Sequence, residues 1–191
     1  MNIFEQSFKR SVDTKNKCQS EGFSSLIKMG EGISNSIKNG GKLMICGNGG
    51  SAADAQHLAA ELLVRLRPHI NRNPLPAITL AQDTSTITAC ANDYSFDELF
   101  ERNLMALARE GDCLLGISTS GNSVNVLKAL NRAKQLGVYA YAFLGNDGGM
   151  CLDTCDIAYV VPSNNTASIQ EVHIVAGHAL MEFIEESVCE L

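Results

Sequence analysis

The feature that most constrains this chain is its repeated alternation between short apolar runs and helical patterns. Four runs rich in branched residues, Lys42–Cys46, Ala77–Leu80, Asp112–Ser118 and Val138–Leu144, are followed by a fifth, Asp156–Val161, which stops at Pro162. Between them lie patterns of helical period over Ser51–Leu66, over Thr84–Ala91 with Asp97–Arg109, and over Asn122–Leu136; a last long one spans Thr166–Glu186. A run that is near-continuously apolar must be covered on both faces. Strands of that kind, alternating with helices, predict a parallel sheet between two helical layers. The expectation is therefore an α/β fold with a doubly wound sheet of five strands. In such sheets ligands sit past the carboxyl ends of the strands, at the switch in strand order.

Two helical patterns precede the first strand. Residues 2–16 carry Ile3, Phe4, Phe8 and Val12 at helical spacing, and residues 23–38 carry Phe23, Leu26, Ile27, Ile33 and Ile37, before Gly40-Gly41 breaks the chain. Apolar stripes on such helices must pack on the domain behind them or on another subunit. The 191 residues suit one domain, with 1–39 as a helical extension for oligomer packing and 42–187 as the α/β core. The stretch Arg67–Pro76, broken by Pro68, Pro74 and Pro76, reads as a longer surface loop, solvated together with Arg67, His69 and Arg72.

The formal net charge of −6 argues against a nucleic-acid surface, which needs clustered Lys and Arg. An anionic ligand must then be caught by a local, preformed site rather than steered by the field of the whole molecule. None of the seven cysteines stands in a C-x-x-C pair and several lie in apolar runs, so they read as reduced core thiols of a cytoplasmic protein. No apolar run approaches the roughly 20 residues of a membrane span, and Met1-Asn2-Ile3-Phe4-Glu5 does not read as a signal peptide.

Two loops after strands stand out. Gly47-Asn48-Gly49-Gly50-Ser51 joins a strand to a helix; its glycines allow backbone N–H groups to approach a ligand, or it is a turn capped by Ser51. It matches neither a dinucleotide fingerprint nor an NTP-binding loop. Ser118-Thr119-Ser120-Gly121-Asn122-Ser123 crowds four hydroxyls between a strand and a helix. One capping residue would explain one hydroxyl; four of them beside free helix N–H groups make a phosphate cradle that needs no Lys or Arg. A third loop, Gly145–Gly149, reads as a turn.

The titratable candidates lie on two helices. His57 and Glu61, four apart, share one helix face; Gln170 and His178, eight apart, are only about 80° apart on another, whereas His173 points about 140° away from His178. Taken alone, His57 and Glu61 read as a buried network or a surface pair. In a chain that binds phosphate, the two pairs together suit aldose–ketose isomerisation. That reaction moves a proton between C1 and C2 through an enediol, and needs a base, an acid at the carbonyl oxygen, and an anchor for the phosphate. A divalent metal could replace the acid; His57, Glu61, His178 and the Gln170 carbonyl form a possible tetrahedral set, although Gln is an uncommon zinc ligand.

Gly47–Ser51, Asp54–His57 with Glu61, Ala91-Asn92-Asp93, Gly116–Ser123 and Ile169–His173 with His178 resemble the phosphoheptose isomerases of the sugar isomerase (SIS) family, over about residues 42–186. The resemblance implies a flavodoxin-like sheet and a homotetramer whose leading helices bundle at its centre, with active sites at subunit contacts. It implies conversion of sedoheptulose 7-phosphate to glycero-manno-heptose 7-phosphate for lipopolysaccharide or capsule. It further implies that Ser118, Thr119, Ser120 and Ser123 hold the phosphate and that Asn48, Gly49, Gly50, Ser51, Asn92 and Asp93 contact the sugar. Glu61 and His178 would be the acid–base pair, with Arg65 and Gln170 near the substrate. One zinc per subunit would use His57, Glu61, Gln170 and His178. This chain departs from the resemblance where many members carry Arg before Ile-Gln-Glu, since Ser168 stands there. The alternative is a non-catalytic SIS adaptor that binds the replication initiator DnaA. Such adaptors lack the Glu and the last His of the catalytic set, and this chain has both.

Overall fold

The computed structural model describes residues 2–81 and 83–189. Two helices lead, α1 (Ile3–Glu21) and α2 (Ser24–Lys38). Asn2 starts α1 through a reciprocal pair of bonds with Glu5, each side chain taking the other's backbone N–H. The α/β unit then runs β1 (Leu43–Gly47), α3 (Gly50–Leu63), β2 (Ala77–Thr79), α4 (Thr84–Asp93), α5 (Leu99–Leu107), β3 (Cys113–Ser118), α6 (Val124–Gln135), β4 (Tyr139–Gly145), α7 (Gly149–Leu152), β5 (Ile157–Val161) and α8 (Thr166–Cys189), with one 3₁₀ turn at Phe96–Glu98. The single-turn α7 lies just past the loop read as a plain turn. Its four residues are too few for any periodicity to register. Helix α3 ends at Leu63, three residues before the expected end, because Val64 leaves helical geometry at φ −110°, ψ −84°.

All five strands are parallel, in the order β2-β1-β3-β4-β5. Both faces are buried, and alternate residues of each strand serve opposite layers. Leu43, Ile45, Cys113, Leu115, Ile117, Tyr141, Phe143, Tyr159 and Val161 join one core with α2, α3 and α8. Met44, Cys46, Leu114, Ala140, Ala142 and Leu144 join the other with α5 and α6. Helix α2 is part of the first core through Met29 and Ile33, both fully buried. Helix α1 buries Thr14 and Cys18, while Ile3, Phe4, Phe8 and Val12 remain exposed; Phe4 and Phe8 keep about three-quarters of their surface (74% and 76%).

The strand order places the switch between β1 and β3. From β1 the chain departs through α3 on one face; from β3 it departs through α6 on the other. The two outgoing loops therefore diverge at one edge, which opens the crevice where doubly wound sheets take ligands. The seven cysteines are all unpaired, and five of them are buried. Among the described residues no helix is long and apolar enough to cross a membrane.

Candidate active site

Both unusual loops meet at this crevice. After β1, Gly49 takes φ +56°, a conformation that favours glycine, and serves as the N-cap of α3. Ser51 is therefore not the cap: it sits buried within the first helical turn. A Cβ at Gly50 would strike the Gln170 amide, so the glycine is what lets α8 bring that side chain over the start of α3. Asn48 is tied across the crevice to Asn125, each amide donating to the other's oxygen at 2.8 and 2.9 Å. Asn125 also accepts the N–H of Val126. This pairing fixes the glycine loop against the start of α6, and sequence reading missed it because an Asn one residue past a helix start is commonplace.

After β3, Ser118 and Ser123 face each other with hydroxyl oxygens 3.0 Å apart. Ser123 is the N-cap of α6, yet its side chain bonds Ser118 and not the helix, so the leading N–H groups of α6 lack a hydroxyl cap. Ser120 accepts the N–H of Asn122, and Thr119 lies half-buried beside it. Gly121 has φ +66°, and a Cβ there would run into the Gly148 carbonyl. The turn after β4 buttresses this loop: the N–H of Cys151 donates to the Gly121 carbonyl, and that of Met150 to Asn122.

The titratable groups converge beside these loops. His57 and Glu61 on α3 meet His178 on α8: His57 Nε2 lies 3.0 Å from Glu61 Oε1 and 3.0 Å from His178 Nε2. One donor atom from each of the three residues falls within 4.8 Å of the others. An imidazole nitrogen offers either one proton or one lone pair in its plane. No tautomer therefore gives both 3.0 Å contacts their own hydrogen bond, whereas a cation among the three would accept a pair from each. The donor set fits a divalent metal. Asp54, one turn before His57, has a buried oxygen with no hydrogen-bond partner. Burial pushes its carboxyl up, against the opposing pull of His57 and His178.

The remaining expected residues fall as follows. Gln170 shares the inward side of α8 with His178 and packs on Gly50. His173 points the other way, to the core, where its Nε2 meets the Leu144 carbonyl at 3.0 Å and its ring stacks obliquely on Phe143. Arg65 is exposed. Asn92 donates to Asp93 at the end of α4, where Asp93 shares a hollow with Tyr94 and Arg102. Asn165 accepts the N–H and hydroxyl of Ser168, so the position that departs from the resemblance closes the first turn of α8. The loop after α3 differs from its expected solvated state: Arg67 and Arg72 are paired with Glu185, and the Arg72 side chain is almost fully buried.

The family model described as SIS domain matches residues 6–145. The chain is 56% identical over 154 residues to a phosphoheptose isomerase of Chlorobaculum parvum, covering 80% of this chain and 74% of that one. It is 42% identical over 189 residues to a phosphoheptose isomerase of Clostridium acetobutylicum, covering 98% and 95%, so that likeness includes β5 and α8. The solved phosphoheptose isomerase of Neisseria gonorrhoeae superposes with a TM-score of 0.90 at 39% identity, over 96% of this chain and 97% of that one.

Proposed function

The chain belongs to the SIS domain family, and from that premise we propose that it is a phosphoheptose isomerase that interconverts sedoheptulose 7-phosphate and glycero-manno-heptose 7-phosphate. The observation that carries the reading is the convergence of His57, Glu61 and His178 beside a hydroxyl-lined loop at the switch of the sheet. The phosphate end is held by Ser118, Thr119, Ser120 and Ser123 with the N-terminus of α6, which keeps the reacting carbons in register. Glu61 and His178, reaching the crevice from different helices, divide the proton transfers at C1, C2 and their oxygens. Asn48, Gly49, Gly50, Ser51, Arg65, Asn92, Asp93 and Gln170 contact the sugar. One zinc per subunit would be held by His57, Glu61, His178 and Gln170; since a ligated Glu61 is not a free base, the metal would either supply polarisation of the substrate carbonyl itself or stabilise the site and exchange when substrate arrives.

The exposed stripe Ile3, Phe4, Phe8 and Val12 supports self-association into a homotetramer through α1, because an amphipathic helix with its apolar side in water is incompletely buried. A cytoplasmic location, and a product feeding lipopolysaccharide or capsule, complete the proposal. The relatives carry isomerase names and give the DnaA-adaptor reading no support. The test is turnover of sedoheptulose 7-phosphate by metal-defined protein, followed by NMR, beside Glu61→Gln and His178→Gln variants checked for folding by circular dichroism. Loss of turnover in both folded variants is the expected result. Turnover that survives both overturns the acid–base assignment, and no turnover in the parent overturns the substrate.

A further inference from the structure

The half-sites on α3 and α8 come from helices more than a hundred residues apart, and something must hold them at a 3.0 Å contact. The last turn of α3 exposes carbonyls that no helical N–H can reach. Arg72, folded back from the following loop, covers two of them: its Nη2 donates to the Glu61 carbonyl at 2.8 Å, and its Nη1 donates at 2.9 Å to the Leu62 carbonyl, which also takes the N–H of Leu75. A third bond from Nη1 reaches the Asn73 carbonyl. The Nε of the same guanidinium donates to Glu185 Oε1 at 2.6 Å, and Arg67 Nε donates to Glu185 Oε2 at 2.7 Å. Arg67 also reaches Glu186. Glu185 lies two turns beyond His178 on nearly the same face of α8. The side chains of Arg72 and Glu185 are 3% and 1% exposed. Burial would push the Glu185 carboxyl up, but the hydrogen bonds from Arg67 and Arg72 outweigh it and hold the carboxyl below its usual range.

We propose that Arg72 and Glu185 are positioning residues for the isomerase site: one guanidinium ties the backbone of Glu61 itself to the helix that carries His178. The inference rests on the proposed function for its activity readout. Its geometry is independent of that reading, since a planar five-donor fork can hold a carboxylate and three carbonyls at once, four acceptors where a lysine has only three donors. The phosphate loop hangs from β3 and α6 and takes no part in this network, so anchoring and chemistry separate.

The experiment compares the parent with Glu185→Gln, which keeps the shape and one carbonyl acceptor, with Arg72→Lys, and with Glu110→Gln, an exposed residue outside this network, as the control. Each protein is assayed for kcat and KM, and the ring nitrogens of its four histidines are followed by NMR. The expected result is a fall in kcat of about ten-fold or more in Glu185→Gln and Arg72→Lys, with KM within about two-fold and the control unchanged. The ring-nitrogen signals of His57 and His178 move, and that of His173, bonded to the Leu144 carbonyl in the core, stays. Folded variants with parental kcat and unmoved His57 and His178 signals overturn the proposal. If neither variant folds, the network serves the fold and not the site, and the proposal falls. A parent without turnover whose variants still shift the His57 and His178 signals overturns the functional reading and leaves the positioning role standing.

Discussion

Gly177 immediately precedes His178, and a methyl group there should damage turnover far more than stability. A Cβ at Gly177 would stand 2.6 and 2.7 Å from the two methyl carbons of Leu58, the residue after His57. Ordinary contact begins at 3.4 Å, so the helices are about 0.8 Å too close for alanine. Leu58 is fully buried and can yield only by a poor rotamer or by parting α3 from α8. Exchanging Gly for Ala within a helix returns up to about 1 kcal/mol, and overpacking costs about 1–3 kcal/mol. The net effect of Gly177→Ala is then a destabilisation of about 0–2 kcal/mol, or a Tm lowered by up to about 8 °C for a chain of this size. A displacement approaching 1 Å at a reacting group costs as much as about 100-fold in rate, so kcat should fall by about 10- to 100-fold. A double-mutant cycle with Leu58→Ala isolates the cause. Leu58→Ala alone should cost about 2–5 kcal/mol through the cavity it leaves. Added to Gly177→Ala it removes the clash, so the pair should couple favourably by about 1 kcal/mol or more in urea melts and regain part of kcat. Parental kcat in Gly177→Ala, or strictly additive energies, would refute the close-approach argument.

In Gly121→Ala the new side chain meets the Gly148 carbonyl and adopts φ +66°, which costs about 1–2 kcal/mol in backbone strain alone; inhibition by inorganic phosphate should weaken by about ten-fold or more, as measured by competition, with kcat less affected. Burial lowers the pKa of His173 from 6.5 to about 4 despite its bond to the Leu144 carbonyl. The unfolded chain therefore binds the proton first as pH falls. Stability is complete above pH 6.5 and drains by about 3 kcal/mol on the way to pH 4, and urea melts of His173→Gln should lack that slope.

Much of the fold was legible because both faces of the sheet are buried, so every strand announces itself by an unbroken apolar run. Leu43–Cys46 and Ala140–Leu144 need no partner to be recognised. Even the three-residue β2 was legible, as the run Ala77–Leu80, but α7 was not visible at all, since one helical turn has no period to read. The serine loop was legible for a different reason: four hydroxyls exceed what any single cap requires. Ser51 was misjudged as a possible cap because glycine, lacking a side chain, gives no signal of its own at an N-cap.

The contacts that assemble the site lay outside what spacing can convey. Helical arithmetic brings His57 next to Glu61, and Gln170 towards His178, but it cannot say that α3 and α8 are neighbours. That adjacency is set by the long return from β5, which lays α8 on the same layer as α3. The same limit explains the Arg67–Pro76 loop, where charge in a proline-rich stretch pointed to solvent. A carboxylate more than a hundred residues later draws both arginines inward, at a desolvation cost that is tolerable only because Glu185 is bonded by two guanidiniums at once. His173 and His178 make the point within one helix. They are five residues apart, and the first turns to the Leu144 carbonyl and the sheet while the second turns to α3. Only the second meets a carboxylate-bearing helix beside the crevice, and that neighbour, not the residue type or its place on α8, makes it a candidate for moving protons.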